Sequence, residues 1–411
     1  MFPRSIWVGR TGMVLLLVFL ALLARESALH SIDFPVYHRA AQQVLSGDFT
    51  LYPAEAYAGR PQPSQGFRYA PAIAVLFVPF GWLPLPLAAL AFFALKLVAL
   101  WYIGVVIARH AAVPATWRSI LLAALTVAGY LVEEFRFGNV HFFCVALLVF
   151  AYDRAESGRV LAPAAALAVA IATKVTPIAL LGYFAYRRRG ALCATTVLLV
   201  CLLVAMPAAF VGIETNAREL RAFATYALEK VDEGDNYSLR GALDRYLTAG
   251  HADISHVEAS VADLSPTIVN SLWLLGLSML GLAGLSALSR ESGDPVVRLL
   301  EFSIVMTGIV LASPHTQRRY YVALYVPAVT LVALWRSAAT GWERRTIVAG
   351  LVAMAASSTI LPLVFAGRRL ALLYEAGSPY LFGALLLFGL LIAMTRRRKA
   401  GSFAAASAAT V

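Results

Sequence analysis

The chain has 411 residues, of which 60% are apolar and only 14% are charged. This composition lies far outside the range of soluble globular domains and excludes that class. The net charge of +11 does not indicate a nucleic-acid partner, because the basic residues of a membrane protein collect on one side of the bilayer.

Long apolar stretches recur along the chain, and each one is a candidate membrane helix. They predict an all-α polytopic membrane protein with about twelve transmembrane helices. The candidate spans are residues 11–29, 86–108, 117–134, 139–153, 159–173, 175–186, 191–211, 267–289, 296–312, 319–335, 346–365 and 379–395.

The segment 71–83 is also apolar, but it is short and proline-rich, so we predict that it dips into the membrane without crossing it. With this assignment, one side of the membrane receives 18 Lys and Arg against six acids, and the other side receives 15 against 17. The positive-inside rule then places both termini, including the tail 396–411, in the cytoplasm. We expect a multi-pass protein of the plasma (inner) membrane.

Two long segments, 30–85 and 212–266, fall on the outer side under this assignment. Within a single transmembrane domain, 1–411, we interpret the first as the catalytic outer loop and the second as an accessory loop. The first would contain interfacial helices and the broken, membrane-dipping helix. In the second, the spacing of apolar residues from Glu214 to Val231 predicts an amphipathic helix at the membrane surface.

Asp33 is the leading candidate for a catalytic residue, because it follows directly on the first apolar span. A carboxylate held at a membrane surface can act as a general base. The alternative is a helix cap, since Ser31 and Asp33 precede the helix-compatible run Pro35 to Leu45. The sequence leaves both interpretations open.

Lys96 lies near the middle of its predicted span, where a lysine costs roughly 2.5–3.5 kcal/mol. It therefore needs a partner or a wet cavity. A structural ion pair and a catalytic role fit this position equally well.

Further cations fall in predicted outer turns. Lys174 lies between two short spans, where it could bind a phosphate or simply anchor the helix at the interface. Arg318 and Arg319 follow His315 in the turn 313–321, although short outer loops are usually poor in arginine. They match the geometry of a phosphate, and the alternative is an ion pair with Glu133 or Glu134.

The chain shows no metal-binding motif, no phosphate-binding loop and no dinucleotide fingerprint. Its seven histidines are scattered, and its three cysteines lie in apolar stretches. We therefore predict no metal ligands and no cofactor.

Several short motifs, taken in order, resemble the PimE-like α-1,2-mannosyltransferases of the GT-C superfamily. The opening is the run from Asp33 through Tyr37 and Tyr52 to Phe67-Arg68-Tyr69-Ala70-Pro71. The later motifs are Gly138-Asn139-Val140-His141, similar to Gly-Gln-x-Asn; Lys174 to Pro177, similar to Lys-x-x-Pro; Asn236-Tyr237-Ser238-Leu239, similar to Asn-Gln-Ser-Leu; and Ser313-Pro314.

This resemblance implies an integral-membrane glycosyltransferase that takes mannose, or another sugar, from a polyprenyl-phosphate donor. The acceptor would be a glycolipid or glycan outside the cytoplasm, and the transfer would invert the sugar. Asp33 would be the base, with membrane lipids as the other partners. The implied donor-phosphate residues are Lys174, Arg318, Arg319 and Arg68, and the implied substrate-binding residues are Tyr37, Tyr52, Tyr69, Asn139, His141, Asn236 and His315.

A transporter of lipid-linked or small solutes is the alternative from another class of protein. It predicts a passage that opens alternately to each side, with Lys96 lining it.

Overall fold

The computed structural model contains helices and turns, with no β-strand in the described part of the chain, which confirms the predicted all-α fold. The residues that it describes are 4–58, 66–227, 236–249, 258–335, 337, 338, 340–359 and 367–409.

The helices up to residue 205 are α1 (Arg4–His30), α2 (Phe34–Leu45), α3 (Ala54–Tyr57), α4 (Pro71–Leu76), α5 (Val78–Gly81), α6 (Leu85–His110), α7 (Trp117–Thr126), α8 (Ala128–Phe137), α9 (His141–Glu156), α10 (Leu161–Thr173), α11 (Ile178–Tyr186) and α12 (Gly190–Ala205).

Beyond residue 205 follow α13 (Ala208–Val211), α14 (Ile213–Ala227), α15 (Leu239–Leu247), α16 (Pro266–Leu285), α17 (Pro295–Ala312), a 3₁₀ helix (Arg318–Leu324), α18 (Tyr325–Trp335), α19 (Gly341–Ser358), α20 (Gly367–Ala376) and α21 (Pro379–Ala409).

Six described segments are long and apolar enough to cross a membrane, so the chain is a multi-pass membrane protein. A seventh would be the broken pair α8 and α9, which meet at an angle of 115°. Helices α7 and α10 are apolar but shorter. The six segments are Gly12–His30, Leu85–His110, Gly190–Val211, Pro266–Leu285, Pro295–Ala312 and Pro379–Gly401.

The chain divides into two compact units. The first consists of Met1–Ala99, Val132–Phe142 and Val204–Glu229. The second consists of Leu100–Leu131, Phe143–Leu203 and Lys230–Val411. Each is described here by itself.

In the second unit, α17 and α18 form the core. Helix α17 packs against α11, α16, α18 and α21, and every residue of α18 from Tyr325 to Leu334 is buried. Helices that are buried on all faces are apolar all round, which explains why the sequence shows no amphipathic stripe in these two spans.

In the first unit, the apolar segment after Tyr69 forms two short helices, α4 and α5, which are separated at Phe77. Pro79 explains the break, because it has no N–H to donate to the carbonyl of Val75 and its ring clashes with that carbonyl. Helix α2 packs on both short helices. The depth of this segment in the membrane stays a prediction.

Helix α14 ties the second predicted outer segment to the first. It packs on α3 and α4, and the carboxylate of Glu219 is completely buried at this contact. That carboxylate accepts hydrogen bonds from the Tyr57 hydroxyl (2.6 Å) and from the Leu51 backbone N–H (3.2 Å). Burial, together with the hydrogen bond to Glu219, raises the pKa of Tyr57, so this phenol stays neutral and remains a donor.

The predicted helix from Glu214 to Val231 is therefore present as α14, and its last four predicted residues lie outside the described part of the chain. Of the apolar stripe, Ala224 is exposed and Phe223 half-buried. Helix α14 packs on α3 and α4 through a face that includes the buried Glu219, and the spacing of apolar residues does not indicate that this glutamate is buried.

We expect Glu219→Ala to lower the free energy of unfolding by about 2 kcal/mol, because it leaves a buried N–H and a phenol without their acceptor. Thermal unfolding in detergent measures the loss. Glu214→Ala, in an exposed position of the same helix, is the matched control and should be nearly neutral. Equal unfolding temperatures for the two variants would contradict this account of the contact.

Candidate active site

Asp33 lies in the turn between α1 and α2 and occupies the N-cap position of α2. Its side chain makes no capping hydrogen bond, and its backbone already has helical angles (φ −87°, ψ −39°). The capping interpretation is therefore wrong for the Asp33 carboxylate. Instead, the half-buried carboxylate accepts a hydrogen bond from Asn139, with 2.8 Å between Nδ2 and Oδ2.

Asn139 belongs to the three-residue turn between α8 and α9, and only 2% of its surface is exposed. Its amide oxygen accepts the backbone N–H of His141 at 2.9 Å, while its amide nitrogen donates to Asp33. Both ends of the amide are thus engaged, which fixes its orientation. Asn139 was predicted to bind substrate, which stays a prediction, and its amide forms hydrogen bonds with Asp33 and with the start of α9.

The turn that carries Asn139 lies tightly against the start of α2. Gly138 has φ +68°, and a Cβ placed on it would lie 2.7 Å from the Cβ of Phe34. The backbone N–H of Asp33 donates to the carbonyl of Phe137 at 2.9 Å. Backbone and side chain of Asp33 are therefore both held by this turn.

All three of the tyrosines that were predicted to bind substrate lie together in the first unit. Tyr37 is one helical turn after Asp33, and its hydroxyl lies 2.9 Å from that of Tyr69. Tyr52 donates to the backbone carbonyl of Tyr69 at 2.7 Å. Burial raises the pKa of Tyr37, and the nearby Tyr69 and Asp33 add to this, so the phenol stays neutral.

All three tyrosines are at most 9% exposed, so they contact one another more than solvent. Their contacts hold the segment around Phe67 to Pro71 against α2. Arg68 in this segment is half-buried, and its guanidinium lies 5.2 Å from the ring centre of Tyr226 on α14.

In the second unit, the predicted Asn236 and Ser313-Pro314 motifs form one clamp. The Asn236 side chain accepts the backbone N–H groups of Ser238 and Thr316, each at 3.1 Å, and donates to the carbonyl of Pro314 at 3.1 Å. The amide of Asn236 is therefore used to join two loops. His315, between the two clamped residues, is half-buried.

The predicted phosphate-binding cations of the second unit gather around aromatic rings. Lys174 Nζ lies 3.5 Å from the ring centre of Tyr320, and the guanidinium of Arg319 lies 5.7 Å from the same ring. Arg318 lies 5.5 Å from the ring of Tyr380 and forms an ion pair with Glu375 at 3.6 Å.

Glu375 is a residue that sequence reasoning missed. Besides Arg318, it accepts the hydroxyls of Tyr237 (3.0 Å) and Tyr380 (3.1 Å). Its partners come from three separate stretches of sequence, so no local spacing could have indicated it.

The described residues contain no group of three His, Cys, Asp or Glu side chains that could hold a metal ion. A groove of about 470 Å³ lies in the second unit between α7, α18 and α19. Its lining is mostly apolar but includes Arg118 and Ser119, and it contains none of the predicted site residues.

The described part of the chain is thus a multi-pass helical membrane protein with a hydrogen-bonded carboxylate beside aromatic side chains. A comparison with known families gives its class: the model of glycosyltransferase family 87 matches residues 67–314, more than half of the chain. The chain belongs to glycosyltransferase family 87. The resemblance to membrane glycosyltransferases of the GT-C type is thereby confirmed.

The matched range contains Arg68, Tyr69, Lys174 and Asn236, and it begins after Asp33. The family match therefore does not include Asp33, and a catalytic role for this residue stays a prediction.

A curated relative is the polyprenol-phosphate-mannose-dependent α-(1-2)-phosphatidylinositol mannoside mannosyltransferase of Mycobacterium tuberculosis. It is 26% identical, with 79% of this chain and 74% of the relative covered. Among solved structures, ArnT from Cupriavidus metallidurans bound to undecaprenyl phosphate is 18% identical with a TM-score of 0.43, covering 95% of this chain and 79% of that one. The structure of the same protein in the apo state is 17% identical in sequence, with a TM-score of 0.42.

We expect Gly138→Ala to lower the rate of sugar transfer, because the new methyl group would push the turn away from Phe34 and so shift Asn139 from Asp33. A displacement of about 1 Å near a reacting group can cost about 100-fold in rate. The measurement is the turnover of radiolabelled polyprenyl-phosphate mannose.

Gly158→Ala is the matched control. Gly158 also has a positive φ, +76°, but a Cβ there meets nothing within 4 Å. The two variants share the strain of the left-handed backbone, so a similar fall in rate for both would refute the close-contact explanation.

Proposed function

We propose that the chain transfers a hexose, with mannose as the first candidate, from a polyprenyl-phosphate donor to a glycolipid or glycan acceptor. The observation that carries this proposal is the half-buried Asp33 carboxylate. It does not cap α2, and it accepts a hydrogen bond from the amide of Asn139, with 2.8 Å between Nδ2 and Oδ2. The name of the Mycobacterium tuberculosis relative supports mannose and a polyprenol-phosphate donor.

The proposed reaction is a single displacement with inversion. The acceptor hydroxyl oxygen attacks C1 of the sugar and gives its proton to Asp33. The bond between C1 and the phosphate oxygen breaks, and its electron pair leaves with the polyprenyl phosphate. A single base suffices for this step, whereas a retaining mechanism would require a second carboxylate as the nucleophile. The donor is itself the activated sugar, so no nucleotide is consumed.

The leaving phosphate needs positive charge, because its own charge increases as the C1–O bond breaks. We assign this role to the cations that the sequence predicts to bind the donor phosphate, which are Lys174, Arg318, Arg319 and Arg68. The clustering of Lys174 and Arg319 around one phenol ring supports the assignment, since it places two cations close together.

We further propose about twelve crossings in the plasma (inner) membrane, with both termini cytoplasmic and the site outside. The excess of 18 Lys and Arg over six acids on one side supports this orientation.

The transporter alternative receives no support from Lys96. A lysine lining a passage would face water, but Lys96 is completely buried and forms an ion pair with Glu134 at 3.2 Å.

We expect Asp33→Asn to fold normally and to lose transfer by about 100- to 10,000-fold, because the amide cannot accept the proton. Asp48→Asn, an exposed aspartate in the same outer segment, should retain full activity. The assay follows radiolabelled polyprenyl-phosphate mannose into membrane lipid. Near-normal turnover by a folded Asp33→Asn protein would overturn the base assignment.

We expect Lys174→Ala or Arg319→Ala to raise the apparent KM for the donor by about tenfold or more, since each removes a charged contact to phosphate. Arg118→Ala is the matched control, because Arg118 also lies over an aromatic ring, that of Trp117, but belongs to the predicted cytoplasmic side. Unchanged donor kinetics in both test variants would remove the phosphate assignment.

A further inference from the structure

Lys96 and Glu134 form an ion pair in which neither side chain is exposed. The Lys96 Nζ lies 3.2 Å from Oε1 of Glu134 and donates to the Glu134 backbone carbonyl at 2.8 Å. The rings of Phe92 and Phe135 lie 5.1 and 5.4 Å from the ammonium. A buried pair of this kind often stabilises a fold no better than apolar residues of similar volume. Its presence therefore calls for a reason other than stability.

The Glu134 carboxylate has a second contact, because its Oε1 accepts the backbone N–H of Phe142 at 3.0 Å. Phe142 is the second residue of α9, where backbone N–H groups have no partner within the helix. The backbone carbonyl of Glu134 also accepts the N–H of Asn139 at 3.3 Å. Glu134 thus forms two hydrogen bonds to the turn between α8 and α9, one through its carboxylate and one through its backbone carbonyl.

This turn is the one that orients Asp33, through the Asn139 amide and the Phe137 carbonyl. The hydrogen bonds therefore run from Lys96 to Glu134, from Glu134 to the turn, and from the turn to Asp33. Each link is at most 3.3 Å long, and all the residues belong to the first unit.

We propose that Glu134 is a positioning residue for Asp33, and that Lys96 is the cation that allows its carboxylate to be buried at this turn. The inference rests on the proposed role of Asp33 as the base. It predicts that the acceptor at position 134 matters for the rate of transfer, independently of its effect on stability.

Two double variants of the full-length protein test the proposal. Lys96→Met/Glu134→Gln and Lys96→Met/Glu134→Leu both remove both charges, so neither leaves a buried ion unpaired. They differ only at position 134, where glutamine keeps an oxygen that can accept the N–H of Phe142 and leucine does not. The measurements are kcat and the apparent donor KM with radiolabelled polyprenyl-phosphate mannose and membrane lipid, together with the unfolding temperature.

We expect the leucine double variant to have a kcat about 10- to 100-fold below that of the glutamine double variant, with an unchanged donor KM. A purely structural role predicts that kcat follows the unfolding temperature. Equal kcat values in the two double variants, or values that simply track stability, would overturn the proposal.

Lys399→Met/Glu301→Gln is the matched control, because it also removes both charges of an ion pair, here a partly buried one. Lys399 lies 2.9 Å from the fully buried Glu301 in the second unit, which has no part in the turn. This variant should unfold at a lower temperature and keep its kcat. Should the leucine double variant fail to fold, Asn139→Ala interrupts the same chain of contacts without touching a charge, and an unchanged kcat there would also refute the proposal.

Asp33→Asn separates this inference from the proposed function. Retained transfer in Asp33→Asn would refute the base itself. Lost transfer in Asp33→Asn, combined with equal kcat values in the two double variants, would refute only the positioning by Glu134.

Discussion

The first unit depends on satisfying the backbone at one sharp turn. Helices α8 and α9 meet at 115°, so the N–H groups at the start of α9 lose the partners that a continuous helix would provide. In apolar surroundings, each such group costs several kcal/mol if it stays unpaired. The buried Glu134 satisfies the N–H of Phe142, and Lys96 balances its charge. The hydrogen bonds of Glu134 thereby stabilise the bend between α8 and α9, which carries the polar side chain of Asn139.

The same principle applies to the two segments that are predicted to lie outside the membrane. Glu219 on α14 provides an acceptor for Leu51 and for Tyr57, and Asn236 joins its own loop to that of Pro314. In each case one buried polar side chain satisfies irregular backbone that has no helix to complete it. Irregular segments of this kind are positioned by a few specific hydrogen bonds, while the long helices are positioned by general apolar packing.

The sequence predicts the long helices better than it predicts the hydrogen bonds that position the irregular segments. Apolar stretches predict helices such as α6, α16 and α17, because hydrophobicity alone determines them. The sequence also shows that Lys96 needs a partner, but it does not show which acid is that partner. From the sequence, Glu134 was a candidate partner of Arg318 and Arg319, whereas in the structure it pairs with Lys96. Asn139 and Asn236 matched family motifs as substrate residues, yet their amides are engaged with neighbouring loops. Which polar atoms are satisfied locally is decided by tertiary contacts, and these do not follow from spacing along the chain.

The contact between Lys174 and Tyr320 has an electrostatic consequence. A carboxylate in the place of the ring would hold the ammonium equally well, but it would cancel the field that an approaching anion experiences. The face of an aromatic ring carries only a quadrupole, so it fixes the ammonium and leaves its monopole intact. In the described part of the chain, Lys174 makes no ion pair, in contrast to Arg318 with Glu375. Lys174 should therefore attract anions with a full unit charge, and this attraction should weaken as ionic strength increases.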